Sequence, residues 1–355
     1  MIQADITKNR EGSTSHFVLQ CESRRIVLFG PSGSGKSTLL KMFAGLCVPD
    51  QGKITVDSRG IFDREQGVNV PVHLRRFGYM PQEYTLFPSM TVEENILYGL
   101  RVRNKVFNGK GADEVASKLG IEDQLRCYPS ELSGGQQQRA ALARIMLIQP
   151  RALLLDEPFS ALDSRVREVL LDLVIDLTTD LKIPTLLVTH DREDAHAFGR
   201  EIVIIKDGSV VEYGKKNTIL LNPKFVETAR LLEFQVFPLA NHDGEGFWTA
   251  GGEYLRLGSR IPSDTSHVCI RPENIMLLRE DKVQSRDLEN SISGKVQNIH
   301  PRSGHVKVTF CSRKGEEYGI HVPHHVVDIM NIHIGKKVDI SLKKESLIPC
   351  QRRSR

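Results

Sequence analysis

No CxxC pair occurs in this chain: its six cysteines, Cys21, Cys47, Cys127, Cys269, Cys311 and Cys350, stand far apart. That spacing argues against a zinc site or a disulfide framework and suits a reducing cytosol. Long hydrophobic runs are missing too. No window approaches the roughly 18 uncharged apolar residues of a membrane span, and the opening segment MIQADITKNREGSTSHF has no apolar core for a signal peptide. The sequence therefore predicts a protein that neither spans a membrane nor is exported by that route. Low-complexity segments are absent as well, and the last residues, CQRRSR, form a basic tail.

What is present is ordinary for a globular protein: 355 residues, 40% hydrophobic and 26% charged. That length exceeds one compact core and predicts two domains. A net charge of +4 fits an acidic ligand or a membrane surface and requires neither.

Through about residue 205 short buried strands alternate with helices. RRIVLFG, Arg24 to Gly30, is an apolar run that stops at Gly-Pro, and KSTLLKMFAGL follows with apolar residues at helical spacing. ALLLDEP, Ala152 to Pro158, and PTLLVTH, Pro184 to His190, are two more strands, separated by the amphipathic SRVREVLLDLVIDLTTDL. EIVIIKDGSVVEYG has the form of a hairpin turning at Asp207 and Gly208. The pattern predicts an α/β layer around a mainly parallel sheet, with a helical insertion over about 84–149. After about Phe234 the runs HVCIRP, GKVQNI, HVKVTF and KKVDISL, punctuated by glycine and proline, predict a small β domain.

Two segments carry phosphate chemistry. GPSGSGKST, spanning Gly30, Pro31, Ser32, Gly33, Ser34, Gly35, Lys36, Ser37 and Thr38, places its glycines, lysine and serine in the pattern G-x-x-x-x-G-K-[ST] between a strand and a helix. Such a loop curls backbone N–H groups around phosphates, its lysine reaches the β and γ phosphates, and its serine hydroxyl binds magnesium. In LLLDEP, Asp156 ends a buried strand where it can hold magnesium, and Glu157 is placed to polarise water. A third stretch, LSGGQQQRAAL, opens a helix with two glycines, each costing about 1 kcal/mol relative to alanine. Small residues there let an anion approach the helix N-terminus.

Over residues 1 to about 232 these three motifs in this order resemble the ATP-binding cassette ATPases. The resemblance implies a P-loop α/β ATPase domain (1–232) binding ATP and magnesium, with a helical subdomain, followed by a C-terminal β domain (233–355). It implies a head-to-tail homodimer in which Ser133, Gly134, Gly135 and Gln136 of one copy close on the γ-phosphate held by the other. Gln82, in GYMPQEYTLFP, matches the glutamine that senses magnesium and water; with Ser37 and Asp156 it makes up the expected metal set. Asp163 ends the SALD loop that crosses the dimer interface, and His190 matches the histidine that contacts the γ-phosphate. Phe17 is the nearest candidate for the aromatic residue on which the family stacks adenine, although this segment looks shorter than the usual one.

The chain lacks the coiled-coil insertion of chromosome-maintenance relatives and the second cassette of translation factors, so no nucleic acid partner is expected. YTLFPSMTVEENILYGLR, Tyr84 to Arg101, resembles the stretch with which importer ATPases receive a permease helix, and Leu86, Phe87, Met90 and Val92 would line that groove. These residues could equally pack the insertion's own core. CIRPENIMLL, NSISGKVQNIHPRSGHVKVTF and GKKVDISLKKESL resemble the OB-like, Mop/TOBE-type β-barrel module (about 288–350) of molybdate uptake proteins. The resemblance implies a peripheral ATPase on the cytoplasmic face of the inner membrane. It would work with integral permease subunits and, indirectly, with an external substrate-binding protein. Molybdate is the expected cargo, with tungstate, sulfate, ferric iron or a polyamine as the alternatives, and Ser291 and Lys295 are candidates to bind an oxyanion.

Overall fold

The computed structural model describes residues 1–10, 12–83, 85–102, 110–160, 162–278 and 290–353. Tyr84, Ala161 of the SALD loop and residues 288–289 of the predicted β module lie outside the described residues. The chain forms two compact units, Met1–Lys216 and Asn217–Arg355. The boundary expected near residue 232 assigned Val226–Leu231 to the first unit; in the structure this helix belongs to the second.

The first unit runs β1 (Ile2–Arg10), β2 (Ser13–Cys21), β3 (Arg25–Phe29), α1 (Lys36–Ala44), β4 (Gln51–Val56), β5 (Arg59–Asp63), β6 (Val68–Asn69), α2 (Val72–Arg75) and β7 (Phe77–Met80). It continues through α3 (Val92–Val102), α4 (Lys110–Lys118), α5 (Gly134–Leu147), β8 (Ala152–Asp156), α6 (Ser164–Leu181), β9 (Thr185–Thr189), α7 (Arg192–Phe198), β10 (Glu201–Lys206) and β11 (Ser209–Lys215). One sheet orders its strands β6-β5-β4-β1-β2-β11-β10-β3-β9-β8-β7. The half from β10 to β7 is parallel, and every residue of β8 and β9 is buried, as expected for strands covered on both faces. The other half contains antiparallel hairpins, β1–β2 and β4–β5, that the alternating pattern did not predict.

Helices form where expected. Ser164–Leu181 buries Leu170, Leu171, Val174 and Thr178, one stripe of an amphipathic helix, and Asp163 caps its start by accepting from the Val166 N–H at 3.1 Å. The insertion contains helices and short turns but no strand among its described residues. Its loop 85–91 is pinned by the fully buried Asn95, whose amide donates to the carbonyls of Phe87, Met90 and Thr91. At the far end of α1, the buried Arg75 donates to the Met42, Phe43 and Val70 carbonyls at 2.7–2.8 Å. A cation thereby satisfies a helix C-terminus, where the dipole favours it. Burial lowers the Arg75 guanidinium from its usual value to about 10.

The second unit begins within α8 (Lys216–Leu221) and α9 (Val226–Leu231). Then follow β12 (Gln235–His242), β13 (Gly246–Thr249), β14 (Tyr254–Arg256), β15 (His267–Ile270), β16 (Ile275–Leu278), β17 (Ser291–Pro301), β18 (Val306–Ser312), β19 (Glu317–Val322), α10 (His324–Ile329), β20 (Lys337–Leu342) and β21 (Ile348–Cys350). Two five-stranded sheets, β14-β13-β12-β15-β21 and β16-β20-β17-β18-β19, share one core in an OB-like arrangement. Phe237 and Phe247 of the first sheet join Val308, Phe310 and Ile340 of the second in that core.

Candidate nucleotide site

In the parallel half of the sheet, four neighbouring strands point their C-terminal ends the same way, the edge at which α/β sheets bind ligands. β3 ends in the phosphate loop, β8 in Asp156 and Glu157, β9 in His190, and β7 two residues before the exposed Gln82. Topology thus gathers at one edge residues that are up to 160 positions apart in sequence.

The loop's shape requires its glycines. Gly33 and Gly35 have φ of 77° and 103°, left-handed values that side chains resist. A Cβ on Gly30 would stand 2.0 Å from the Ile205 carbonyl oxygen. The loop rests on the β10–β11 turn, where Asp207 and Gly208 (φ 49° and 73°) form the predicted hairpin and the Gly208 N–H donates to the Ser34 carbonyl at 3.0 Å. Pro31, Ser32 and Gly33 are exposed, and the buried Ser34 hydroxyl has no hydrogen-bond partner among the described residues.

Lys36 is buried and curls over the loop, donating to the Gly30 and Pro31 carbonyls at 2.8 Å each. Burial lowers its ammonium below the usual lysine value, against the opposing pull of Glu157 and Asp156. Ser37 donates to Asp156 at 2.8 Å, and burial raises the Asp156 carboxyl above its usual value despite that bond. Two adjacent oxygen donors in this setting fit magnesium, which takes hard oxygen ligands. Glu157 sits beside them at φ 49°, a strained value for a residue with a side chain, held by its N–H donating to Val188 at 3.1 Å. Its carboxylate lies 3.5 Å from His190 Nδ1.

The glycines of LSGGQ have a different purpose. Neither Gly134 nor Gly135 has positive φ, and a Cβ on Gly134 would meet nothing within 4 Å. Gly134 leaves the N-terminus of α5 open to approach from outside, whereas a Cβ on Gly135 would stand 3.1 Å from Leu162. Ser133 caps it reciprocally with Gln136, through bonds of 3.3 and 2.9 Å. Among the described residues no hydrogen bond or ion pair joins this segment to the phosphate loop of its own chain.

The structure corrects two expectations. Phe17 lies on the core face of β2, fully buried, its ring 3.1 Å from where a Cβ on Gly35 would sit. It supports the phosphate loop and has no face open to adenine. Val92 is also fully buried in the insertion's own core, so it does not line a surface groove. Leu86, Phe87 and Met90 are half-buried, with the Phe87 ring between Tyr98 and the Arg144 guanidinium.

One site residue escaped the motif search. Arg167, on α6 just past Asp163, bonds Asp194 at 2.7 Å and Asp191 at 2.9 Å, and Asp194 accepts from Thr189 at 3.0 Å. The hydrogen bond to Asp194 raises the guanidinium above its usual value. This bridge ties the helix after the SALD loop to the residues flanking His190. Only the acidic pair following His190 hinted at it in the sequence.

The profile describing ABC transporters matches residues 17–160. The Fe(3+) ions import ATP-binding protein FbpC 2 of Pectobacterium atrosepticum is 38% identical over 272 residues, which cover 75% of each chain. The chain belongs to the ATP-binding cassette (ABC) transporter family. The molybdate/tungstate import ATP-binding protein WtpC of Pyrococcus horikoshii is another ABC relative, 34% identical over 81% of each chain. Among solved structures, the dimeric ATP-binding cassette MJ0796 bound to ADP and Pi matches with a TM-score of 0.54 and 29% identity, over 61% of this chain and 99% of that one.

Away from the ABC site, a cleft of about 1140 Å³ opens in the second unit between β17, β18, β20 and the end of α10. Among the described residues, Lys295, Arg313, Lys336 and Lys337 line it with one acid, Asp339. Ser291, the other oxyanion candidate, is not among its lining residues. No helix among the described residues is long and apolar enough to cross a membrane.

Proposed function

We propose that this chain is the ATPase subunit of a binding-protein-dependent importer and acts as a homodimer on a membrane permease. One observation carries the reading: the strand ends converge on a phosphate loop, while the N-terminus of α5 has open space at Gly134 and, among the described residues, no bond to that loop. A second copy completes the site by placing its Ser133, Gly134 and Gly135 on the γ-phosphate. The dimeric relative bound to ADP and Pi supports this arrangement.

ATP binding closes the dimer and drives the permease toward outward opening. Lys36 leaves the loop carbonyls for the β and γ phosphates, Glu157 polarises the attacking water, and His190 holds the γ-phosphate. Ser37, Asp156 and Gln82 would hold magnesium, which supplies charge neutralisation on the phosphates. Hydrolysis and phosphate release reopen the dimer, so chemistry and gating are coupled through the interface to which Asp163 and, through α6, Arg167 are attached.

The permease helix docks beside Leu86, Phe87 and Met90. For cargo we propose an oxyanion, molybdate first. On β17 and β20, Lys295 and Lys337 stand directly opposite each other, a like-charge pairing that costs stability unless an anion offsets it. Ferric iron is the second reading, favoured by the 38% identical iron-import relative. The test is ATP turnover of the chain with its permease in lipid vesicles. Stimulation by molybdate-loaded binding protein, with inhibition by molybdate on the ATPase side, supports the oxyanion reading. Stimulation by a ferric-loaded protein alone replaces it with iron, and no stimulation by any loaded binding protein overturns the importer.

A further inference from the structure

With Phe17 buried, the base of the nucleotide needs another flat partner. Every aromatic carbocycle between Met1 and Ala44, namely Phe17, Phe29 and Phe43, is buried. Strand parity then narrows the choice. β1 and β2 pair from Ile2↔Cys21 to Arg10↔Ser13, and side chains alternate between faces. Ile6 and its partner Phe17 point to the face that packs under the phosphate loop, and Arg10, four residues beyond Ile6, shares that face. His16 points to the other face, where it pairs with Asp5 at 3.0 Å. Arg10 is therefore the exposed planar group that the hairpin presents on the nucleotide side. Its Nη2 donates to Thr38 Oγ1 at 2.8 Å, which sets the guanidinium against the first turn of α1, beside the loop.

We propose that Arg10 is the base platform of this site: its guanidinium plane stacks on the purine in place of an aromatic ring. Guanidinium is planar and delocalised, stacks on aromatic faces, and adds attraction between its charge and the ring's π face. Nucleobases stack on arginine planes in the same way. Arg10 is exposed, and the bond to Thr38 lies in the guanidinium plane at one edge of the fork. Because stacking reads no donor or acceptor on the base, the site discriminates little between ATP and GTP.

The inference rests on the phosphate-loop reading, and a base-free ligand separates the two. Equilibrium affinity of the full chain for ATP, GTP and inorganic tripolyphosphate is measured by calorimetry for the native protein and for Arg10→Ala, Arg10→Lys and Arg10→Tyr. Arg10→Ala is expected to weaken ATP and GTP about tenfold, within the range for losing one stacking contact, and tripolyphosphate less than about twofold. Arg10→Lys, which keeps the charge without the plane, should behave like Arg10→Ala, and Arg10→Tyr should restore ATP affinity. Equal losses for ATP and tripolyphosphate would make Arg10 a phosphate ligand and overturn the proposal, as would full affinity in Arg10→Lys or no loss in Arg10→Ala. If the native chain binds neither ATP nor tripolyphosphate, the phosphate-loop reading itself falls and takes the proposal with it. Arg10 is exposed, so unchanged thermal melting of the variants confirms that the affinities report on binding.

Discussion

The nucleotide edge of the first unit and the basic cleft of the second both gather cations for anions, yet they are built differently. Lys36 is buried and bonded to two loop carbonyls, and the loop around it is fixed by left-handed glycines and the β10–β11 turn. Lys295 and Lys337 are exposed on strands, and Arg313 in the turn after β18, where the same sheet would form with other side chains. A site made by the backbone leaves a strict sequence pattern, whereas a site made by side chains on an indifferent backbone leaves almost none.

The largest effect expected in the first unit is on turnover. Glu157→Gln should lower ATP hydrolysis by at least about 100-fold, the scale of a lost general base, while trapping an ATP-bound dimer visible by size-exclusion chromatography. Normal phosphate release in this variant would remove Glu157 from its role. Gly134→Asp probes the open α5 terminus. The chain's own fold has space for the side chain, so melting should stay unchanged, but a carboxylate facing the partner's γ-phosphate should cost at least about 2 kcal/mol and reduce turnover by tens of fold or more. Unchanged turnover would mean that no second copy approaches there.

Smaller effects separate the two units by stability. Arg75→Leu removes the guanidinium donor of the Phe43 carbonyl and leaves the Met42 carbonyl with the Gly45 N–H alone, and should cost roughly 1–3 kcal/mol in thermal melting followed by circular dichroism. The second unit contains the single tryptophan, Trp248, whose fluorescence reports on that unit. There, burial and then the charges of Arg352 and Arg230 hold His267 below the usual histidine value of 6.5. The folded state then binds fewer protons than the unfolded chain. Its stability is complete above 6.5 and falls as pH drops through 6.5 toward the folded value. Urea midpoints read from Trp248 should therefore fall between pH 7.5 and 5.5, by up to about 1 kcal/mol, and His267→Gln should flatten the change. An equal fall in the His267→Gln variant would assign the pH dependence to other groups, His321 among them.

The amphipathic period of Ser164–Leu181, the apolar runs of β3, β8 and β9, and the Asp-Gly hairpin signal are local properties, and each appears in the structure where the sequence placed it. The antiparallel hairpins β1–β2 and β4–β5 were not legible: β1 and β2 run nine residues each and alternate over Ile2–Ile6 and Phe17–Cys21, but the wholly polar stretch Thr7–His16 between those runs reads as a loop. Phe17 was misassigned for a related reason: nearness in sequence to the loop does not say which face of a strand a ring occupies.

By itself the sequence determined the phosphate loop, the strand-end carboxylates and the capped helix of LSGGQ, because glycine conformations, capping residues and apolar periods act over a few neighbouring residues. Only the tertiary structure decided what those pieces rest on. The turn at Gly208 supports the loop, Arg167 ties α6 to the His190 segment, and Arg10 is exposed beside Thr38 on the face where Phe17 is buried. Each of these depends on which strands pair and which face a side chain takes, and pairing across a sheet is set by the whole core.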